Sequence, residues 1–192
     1  MTQIVLGSSS PFRKQLLEKL GVPFVCCSPE VDETPFENEA PEALVRRLAL
    51  LKAEAVANLY PQALIIASDQ VSVLNGQING KPGNREAAIR QLEASSGQTV
   101  VFYTSLCVYD ALTQRYELGV EPFSVHFRTL NRDQIARYVD HDSPLNCAGS
   151  FKSEGFGITL FKSFEGKDPN TLIGLPLILL VEMLERFNLS LP

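Results

Sequence analysis

The sequence predicts a mixed α/β fold, of the α+β kind, with helices flanking a mixed, twisted sheet in one domain over residues 1–192. Three observations carry this. Short apolar runs alternate with helix-period segments along most of the 192 residues. Two long runs, "QTVVFYTSLCVYD" and "RYELGVEPFSVHFRTL", follow one another as an antiparallel pair. No internal repeat, low-complexity segment or linker interrupts the chain. Its length suits one domain, or two small lobes sharing a core.

Each element has a local cause. "QIVLG" at 3–7 is consecutively apolar and then breaks, which predicts a buried strand. In "SSSPFRKQLLEKLG", Ser10 reads as an N-cap, Pro11 as the first helical residue and Gly21 as the position past the end. "PFVCCS" at 23–28 is a second strand, and the acidic, proline-rich "PEVDETPFENEAPE" is a loop. Pro41 opens a long helix whose expected apolar face is Leu44, Val45, Leu48, Leu51 and Ala55. "ALIIASDQVSVLNGQINGKP" reads as a strand ending near Ser68 and then a hairpin turning at Asn75-Gly76. A helix over 84–95 precedes the two long strands, and Asn131 caps the helix "NRDQIARYVDH". Mixed strand and loop run to about 174, and Pro176 starts a last helix to about 187.

Composition narrows the partners. Hydrophobic residues are 45% and charged residues 20%, ordinary for a soluble chain. The net charge is −5 and no basic stripe is present, which argues against a nucleic acid polymer but leaves room for a small anion. The four cysteines form no C-x-x-C pair, so they read as reduced, mostly buried thiols of a cytoplasmic protein. "MTQIVLGSSS" lacks the basic start and the apolar length of a signal peptide. "LIGLPLILLVEML" falls short of the roughly 18 apolar residues of a membrane span.

The first stretch able to carry chemistry is "SSSPFRK". A strand there runs into serines and a helix N-terminus, whose free N–H groups favour an anion. Ser8, Ser9 and Ser10 can donate, while Arg13 and Lys14 add positive charge. The bland alternative is a serine cap beside two solvated cations, and the absence of a Walker signature excludes a P-loop. Asp69, in "SDQ" at a strand end, is placed to hold a metal or activate water, or merely starts a turn. Glu33 is a metal ligand or one charge of an acidic loop. Lys52, among apolar neighbours on its helix, and Lys81, in the turn "NGKPG", are anion partners or solvated surface. His126 and His141 read as structural. No nucleophile–His–carboxylate grouping stands out, which argues against covalent hydrolysis. Serines at a helix start, scattered cations and two loop carboxylates together suit metal-assisted attack on a phosphoanhydride.

The stretches "LGSSSPFRKQLLEKLG", "VDET", "RLALLKA", "SDQV", "GKP", "YTSL", "CAGSFKSEGFG" and "DPNTLIGLPL" occur in that order over nearly the whole chain. In this the sequence resembles the Maf-like nucleotide pyrophosphatases, and within them the branch that hydrolyses 7-methylguanosine triphosphate. The resemblance implies two lobes with a deep cleft between them. It implies water attack that splits the α–β phosphoanhydride, giving a nucleoside monophosphate and diphosphate, with a divalent cation (Mg, Mn or Co). Asp69 matches the proton acceptor and, with Glu33, the metal-holding positions. Ser8, Arg13, Lys52 and Lys81 match phosphate-handling positions. Lys14 stands where an arginine is usual, and so keeps the charge without the bidentate fork. A nucleoside triphosphate is the implied partner, with no nucleic acid polymer and no membrane, and a homodimer is compatible with the resemblance.

Phe12, Gln70 and Glu154 match the base-selecting positions, where the pyrimidine-using branch carries Arg, Thr and Gln. A carboxylate at 154 can accept from guanine N1–H and the exocyclic amine together. It would leave uracil's oxygens unpaired, a penalty of about 1–3 kcal/mol. A 7-methylated, cationic ring over Phe12 gains a cation–π contribution of about 0.5–2 kcal/mol. "GSFKSEGFG" therefore reads as a base-selecting wall, with Phe151 and Phe156 as packing. The alternatives are a thymidine or uridine triphosphate pyrophosphatase of the same family, and a nucleotide-binding regulator of cell division.

Overall fold

The computed structural model describes residues 2–191. In chain order the elements begin with β1 (Ile4–Gly7), α1 (Pro11–Glu18), β2 (Phe24–Cys27), α2 (Pro41–Ala57) and β3 (Leu64–Ala67). They continue with β4 (Gln70–Leu74), β5 (Gln77–Asn79), α3 (Arg85–Ser95), β6 (Thr99–Asp110) and β7 (Arg115–Phe127). The last are α4 (Arg132–Asp142), β8 (Phe161–Glu165), α5 (Pro169–Ile173) and α6 (Leu177–Arg186). Among the described residues the strands form one mixed sheet of eight, in the order β2-β1-β3-β6-β4-β5, with β7 pairing β6 and β8. The expected mixed α/β class is what the chain adopts.

The chain divides into two compact units. The first takes in the chain up to Asp69, Thr104–Glu121 and the chain from Asp168 onward. Here β1 runs parallel to both β2 and β3, with Gly7 opposite Cys27 and Ala67. β3 meets β6 antiparallel, Ala67 opposite Cys107. Side chains alternate across the sheet with period two. Ile4, Leu6, Leu64, Ile66, Leu106 and Val108 pack with Leu16 and Leu17 of α1 and with Leu180 and Leu184 of α6. Val5, Ile65, Ala67 and Cys107 face the other way, with Ala49, Ala53 and Val56 of α2. Each fully buried leucine or isoleucine contributes about 1.5–3 kcal/mol.

The buried stripe of α2 is Leu44, Val45, Leu48, Ala49, Lys52, Ala53 and Val56. The expected Leu51 and Ala55 are only half-buried, so the face is turned to include a lysine. The short helix α5 falls where mixed strand and loop were expected. Its five residues are too few to show a helical period.

The second unit comprises Gln70–Tyr103 and Pro122–Lys167. Asn75 (φ 50°) and Gly76 (φ 78°) are both left-handed, the type I′ geometry of a two-residue hairpin, and they set β4 against β5 with Leu74 opposite Gln77. Asn84 caps α3 by accepting from the Ala87 N–H at 2.9 Å. Asn131 and Gln134 form a reciprocal capping box on α4. Phe102, Phe127, Phe151 and Phe161 form an edge-to-face cluster with centroids 4.7–5.8 Å apart.

Candidate active site

Parallel pairing determines where the charged groups gather. Because Gly7 lies opposite Ala67, the chain leaves β1 and β3 at the same edge of the sheet. Ser8 follows one strand, and Ser68 and Asp69 follow the other. Carboxyl ends of parallel strands are where open α/β sheets present their polar groups. Ser8 is buried there, and its hydroxyl accepts from the Ser10 N–H at 3.1 Å. The Ser10 hydroxyl in turn accepts from the Arg13 N–H at 3.3 Å and caps α1, as expected.

At the centre stands Lys52. Its Nζ donates to Asp69 Oδ1 at 2.5 Å and lies 2.7 Å from Glu33 Oε1. Lys52 and Asp69 are buried, while the Glu33 side chain is 59% exposed. A lysine in the buried stripe of a helix needs such partners, since an unpaired ammonium in an apolar setting is costly. The solvated alternative for Lys52 is thereby excluded. Two carboxylates converge on one cation here. Their hard oxygen donors are of the kind that would suit a divalent ion. Among the described residues no group of three or more His, Cys, Asp or Glu converges in that way.

The Asp69 backbone is held tightly. Its N–H donates to Ser105 Oγ at 3.0 Å, its carbonyl accepts from the Ser105 N–H at 2.9 Å, and the Ser105 hydroxyl donates to the Val45 carbonyl at 2.6 Å. One buried serine thus ties the strand end to α2. Arg13 sends its Nε–H to the Gly174 carbonyl at 2.8 Å. Burial pushes the Arg13 guanidinium below its ordinary pKa, and the charges of Asp69 and Glu33 oppose that shift. Arg13 therefore lies within electrostatic reach of both carboxylates.

Arg47 organises the loop that carries Glu33. It grips Glu39 with two N–H groups, each at 2.7 Å, donates to the Thr34 carbonyl at 3.1 Å and stacks 3.9 Å over the Phe36 ring. That bidentate bond pulls Glu39 down to a pKa of about 2. Two other candidates of this unit stand apart from the lysine. Lys14 is exposed, with Glu18 at 3.9 Å one turn on, and Phe12 is half-buried.

Gln70, Lys81 and Glu154 belong to the second unit. Gln70 opens β4 and is half-buried, Lys81 is exposed in its turn, and Glu154 is exposed with the Ser153 hydroxyl at 3.5 Å. The segment around Glu154 is firmly built. Lys152 donates its N–H to the Tyr138 hydroxyl at 2.9 Å and its Nζ to the Asp142 carbonyl at 2.6 Å. A Cβ at Gly157 would lie 2.2 Å from the Lys152 carbonyl oxygen, so that position requires glycine. Phe151 is buried in the aromatic cluster, as expected. Phe156 is 44% exposed, with the rings of Tyr138 and His141 as neighbours.

The expectation of mostly buried thiols needs correction. Only Cys107 is buried, Cys27 and Cys147 are intermediate, and Cys26 is exposed on a strand at the sheet edge. All four are unpaired. Sequence reasoning took in Ser68 only as part of "SDQ", without a role, and passed over Ser105, Arg47 and Asp168. Ser105 gives little signal within an apolar run, whereas Asp168 before Pro169 is a readable helix start. Among the described residues no helix is long and apolar enough to cross a membrane.

Fold and cluster define a class: a mixed α/β protein whose ionic groups gather at the carboxyl ends of parallel strands. More particularly, the chain belongs to the Maf-like protein family, whose model matches residues 3–187. A relative from Vibrio parahaemolyticus named 7-methyl-GTP pyrophosphatase is 60% identical over 96% of this chain and 95% of its own. Relatives of the same name from Alcanivorax borkumensis and Colwellia psychrerythraea are 57% and 56% identical, over 98% and 99% of this chain and 96% and 95% of theirs. Among solved structures, the Staphylococcus aureus Ham1 protein matches with a TM-score of 0.50 at 17% identity, covering 80% of this chain and 88% of that one, a likeness of fold alone.

Proposed function

We propose that the chain is a nucleoside triphosphate pyrophosphatase that hydrolyses 7-methyl-GTP to 7-methyl-GMP and diphosphate in the cytoplasm. Full-length identity of 56–60% to relatives of that name supports the substrate. The observation that carries the chemistry is Lys52 holding Asp69 and Glu33 together at one strand edge. Water attacks, the α–β phosphoanhydride breaks, and diphosphate leaves with the bonding electrons. Asp69, already fixed through its backbone by Ser105, accepts the proton of the attacking water. A divalent ion held by Asp69 and Glu33 would neutralise charge as it shifts to the leaving group. Ser8, Arg13, Lys52 and Lys81 bind phosphate oxygens, with Lys14 as a more distant positive charge. Phe12, Gln70 and Glu154 select the base. Four unpaired cysteines suit the reducing cytoplasm.

The test is diphosphate release from a panel of triphosphates, with and without Mg, Mn or Co. Asp69→Asn keeps the shape and removes the proton acceptor, so kcat should fall by about 10²–10⁴ while 7-methyl-GTP binding persists. Loss of binding in step with activity would remove Asp69 as the acceptor. No turnover of any triphosphate by the wild type would favour the nucleotide-binding regulator.

A further inference from the structure

We infer that Asp168 is a positioning residue for Arg13, acting through the Gly174 carbonyl. The inference rests on the proposed role of Arg13 at the substrate phosphates. Asp168 is fully buried, and among the described residues its hydrogen bonds come from Asn170 and Ile178 and from no cation. Instead its carboxylate collects three N–H donors. Oδ1 accepts from the Asn170 N–H at 2.8 Å and from Asn170 Nδ2 at 2.6 Å, and Oδ2 accepts from the Ile178 N–H at 2.9 Å. One side chain therefore ties the start of α5 to the start of α6. Between those tie points lies the corner Gly174-Leu175-Pro176.

That corner is narrow and conformationally demanding. Gly174 has φ +126° at the end of α5, in the region that disfavours a side chain. Its N–H is engaged by the Asn170 and Thr171 carbonyls, both at 3.1 Å. Its carbonyl faces two donors from elsewhere in the chain: Arg13 Nε at 2.8 Å and the Ser68 hydroxyl at 3.0 Å. An added Cβ would come within 3.4 Å of Arg13 Nε.

The consequence is geometric. A guanidinium tethered at Nε has its plane fixed, and its two terminal nitrogens are left for a bidentate anion. A cation so held costs little further ordering when a phosphate arrives. Ser68, the neighbour of Asp69, shares the same carbonyl, so one acceptor registers the cation against the carboxylate. Burial of Asp168 stores that register in α5 and α6, away from the reacting groups.

A double-mutant cycle separates this role from a loss of fold. Asp168→Asn can accept at one oxygen only and so releases one tie. In the wild-type background kcat/KM for 7-methyl-GTP should fall about tenfold or more. In the Arg13→Ala background the same change should cost less than about twofold, because the residue it positions is gone. Full multiplication of the two losses would overturn the inference. If Asp168→Asn does not fold, Asn170→Ala, which removes one N–H donor from the Asp168 carboxylate, takes its place in the cycle with the same two outcomes. If the wild type hydrolyses no triphosphate, the functional reading fails. The cycle is then read on the Kd for 7-methyl-GTP, where the same non-additivity upholds the tether and additivity removes it.

Discussion

Glu154 is the residue on which the proposed substrate preference depends. Its carboxylate is exposed, with one neighbouring hydroxyl at 3.5 Å, so it is available to a ligand. Glu154→Gln keeps the length and replaces one acceptor oxygen by a donor. Against 7-methylguanine this loses one of two accepted N–H bonds and opposes the other with an amide. The ratio of kcat/KM for 7-methyl-GTP over UTP should drop by about 5- to 150-fold, equivalent to about 1–3 kcal/mol. An unchanged ranking in a substrate panel would reassign base selection. Residues differ in how far the sequence announces them. Lys52 is legible because a charge in an apolar helical stripe demands partners. Its partners are less so, since Glu33 is one acid among several in its loop. Ser105 is hidden, because a small hydroxyl in a strand looks like any other strand residue until its neighbours are placed.

At the scale of elements, local chemistry was readable wherever a cap or turn has its own signature. Ser10 and Asn131 cap their helices and Asn75-Gly76 turns the hairpin, whereas Asn84, read as the first residue of its helix, is the cap. The apolar face of α2 was less readable, because its burial is decided by which strands it covers. The loop over 29–40 reads in sequence as acidic and proline-rich, with no sign of what holds it, yet Arg47 binds it at three points. Its acid sensitivity follows from Asp32, whose carboxylate is held below its ordinary range by hydrogen bonds from Thr34, and more strongly from Glu39. The folded pKa, about 2, lies below the ordinary 4.5. A depressed carboxylate contributes stability that is present above pH 4.5 and lost as pH falls toward 2. Amides of the loop should therefore exchange faster through that window, relative to those of α2. The pair Arg85–Asp140 titrates in the same direction, so amides of α3 and α4 serve as its own monitor. Arg47→Gln should give faster loop exchange already at pH 6 and a smaller step on acidification, the part that remains being due to Asp32 and its bond from Thr34. A flat profile in the wild type between pH 5 and 2 would show that Glu39 does not hold the loop.

For the whole molecule, the mixed α/β class was legible from alternating elements, while the topology was not. Nothing in "IVLG" or "LIIA" states that these strands lie side by side and parallel. That pairing comes from two apolar faces that both need covering. Cys107 reports on this assembly. It lies in β6 opposite Ala67 and is fully buried beneath α2. Burial pushes its thiol from an ordinary 9 up to about 12. A raised thiol pKa means that the folded chain keeps a proton which the unfolded chain releases. Its contribution is present below pH 9 and is lost as pH rises from 9 toward 12. Tyr109 and Tyr138 are shifted upward by burial in the same sense, so the decline in thermal stability over that range is shared. Thiol labelling tests the burial of Cys107 directly. Exposed Cys26 should react with a thiol reagent within the mixing time at pH 8, while Cys107 reacts only as fast as the chain unfolds. Added 7-methyl-GTP should slow Cys107 further and leave Cys26 unchanged, because binding to the folded chain lowers the open population. Labelling of Cys107 as fast as Cys26 in the native protein would mean that α2 does not seal β3 and β6. The buried seat of Lys52 on the same helix would fall with it.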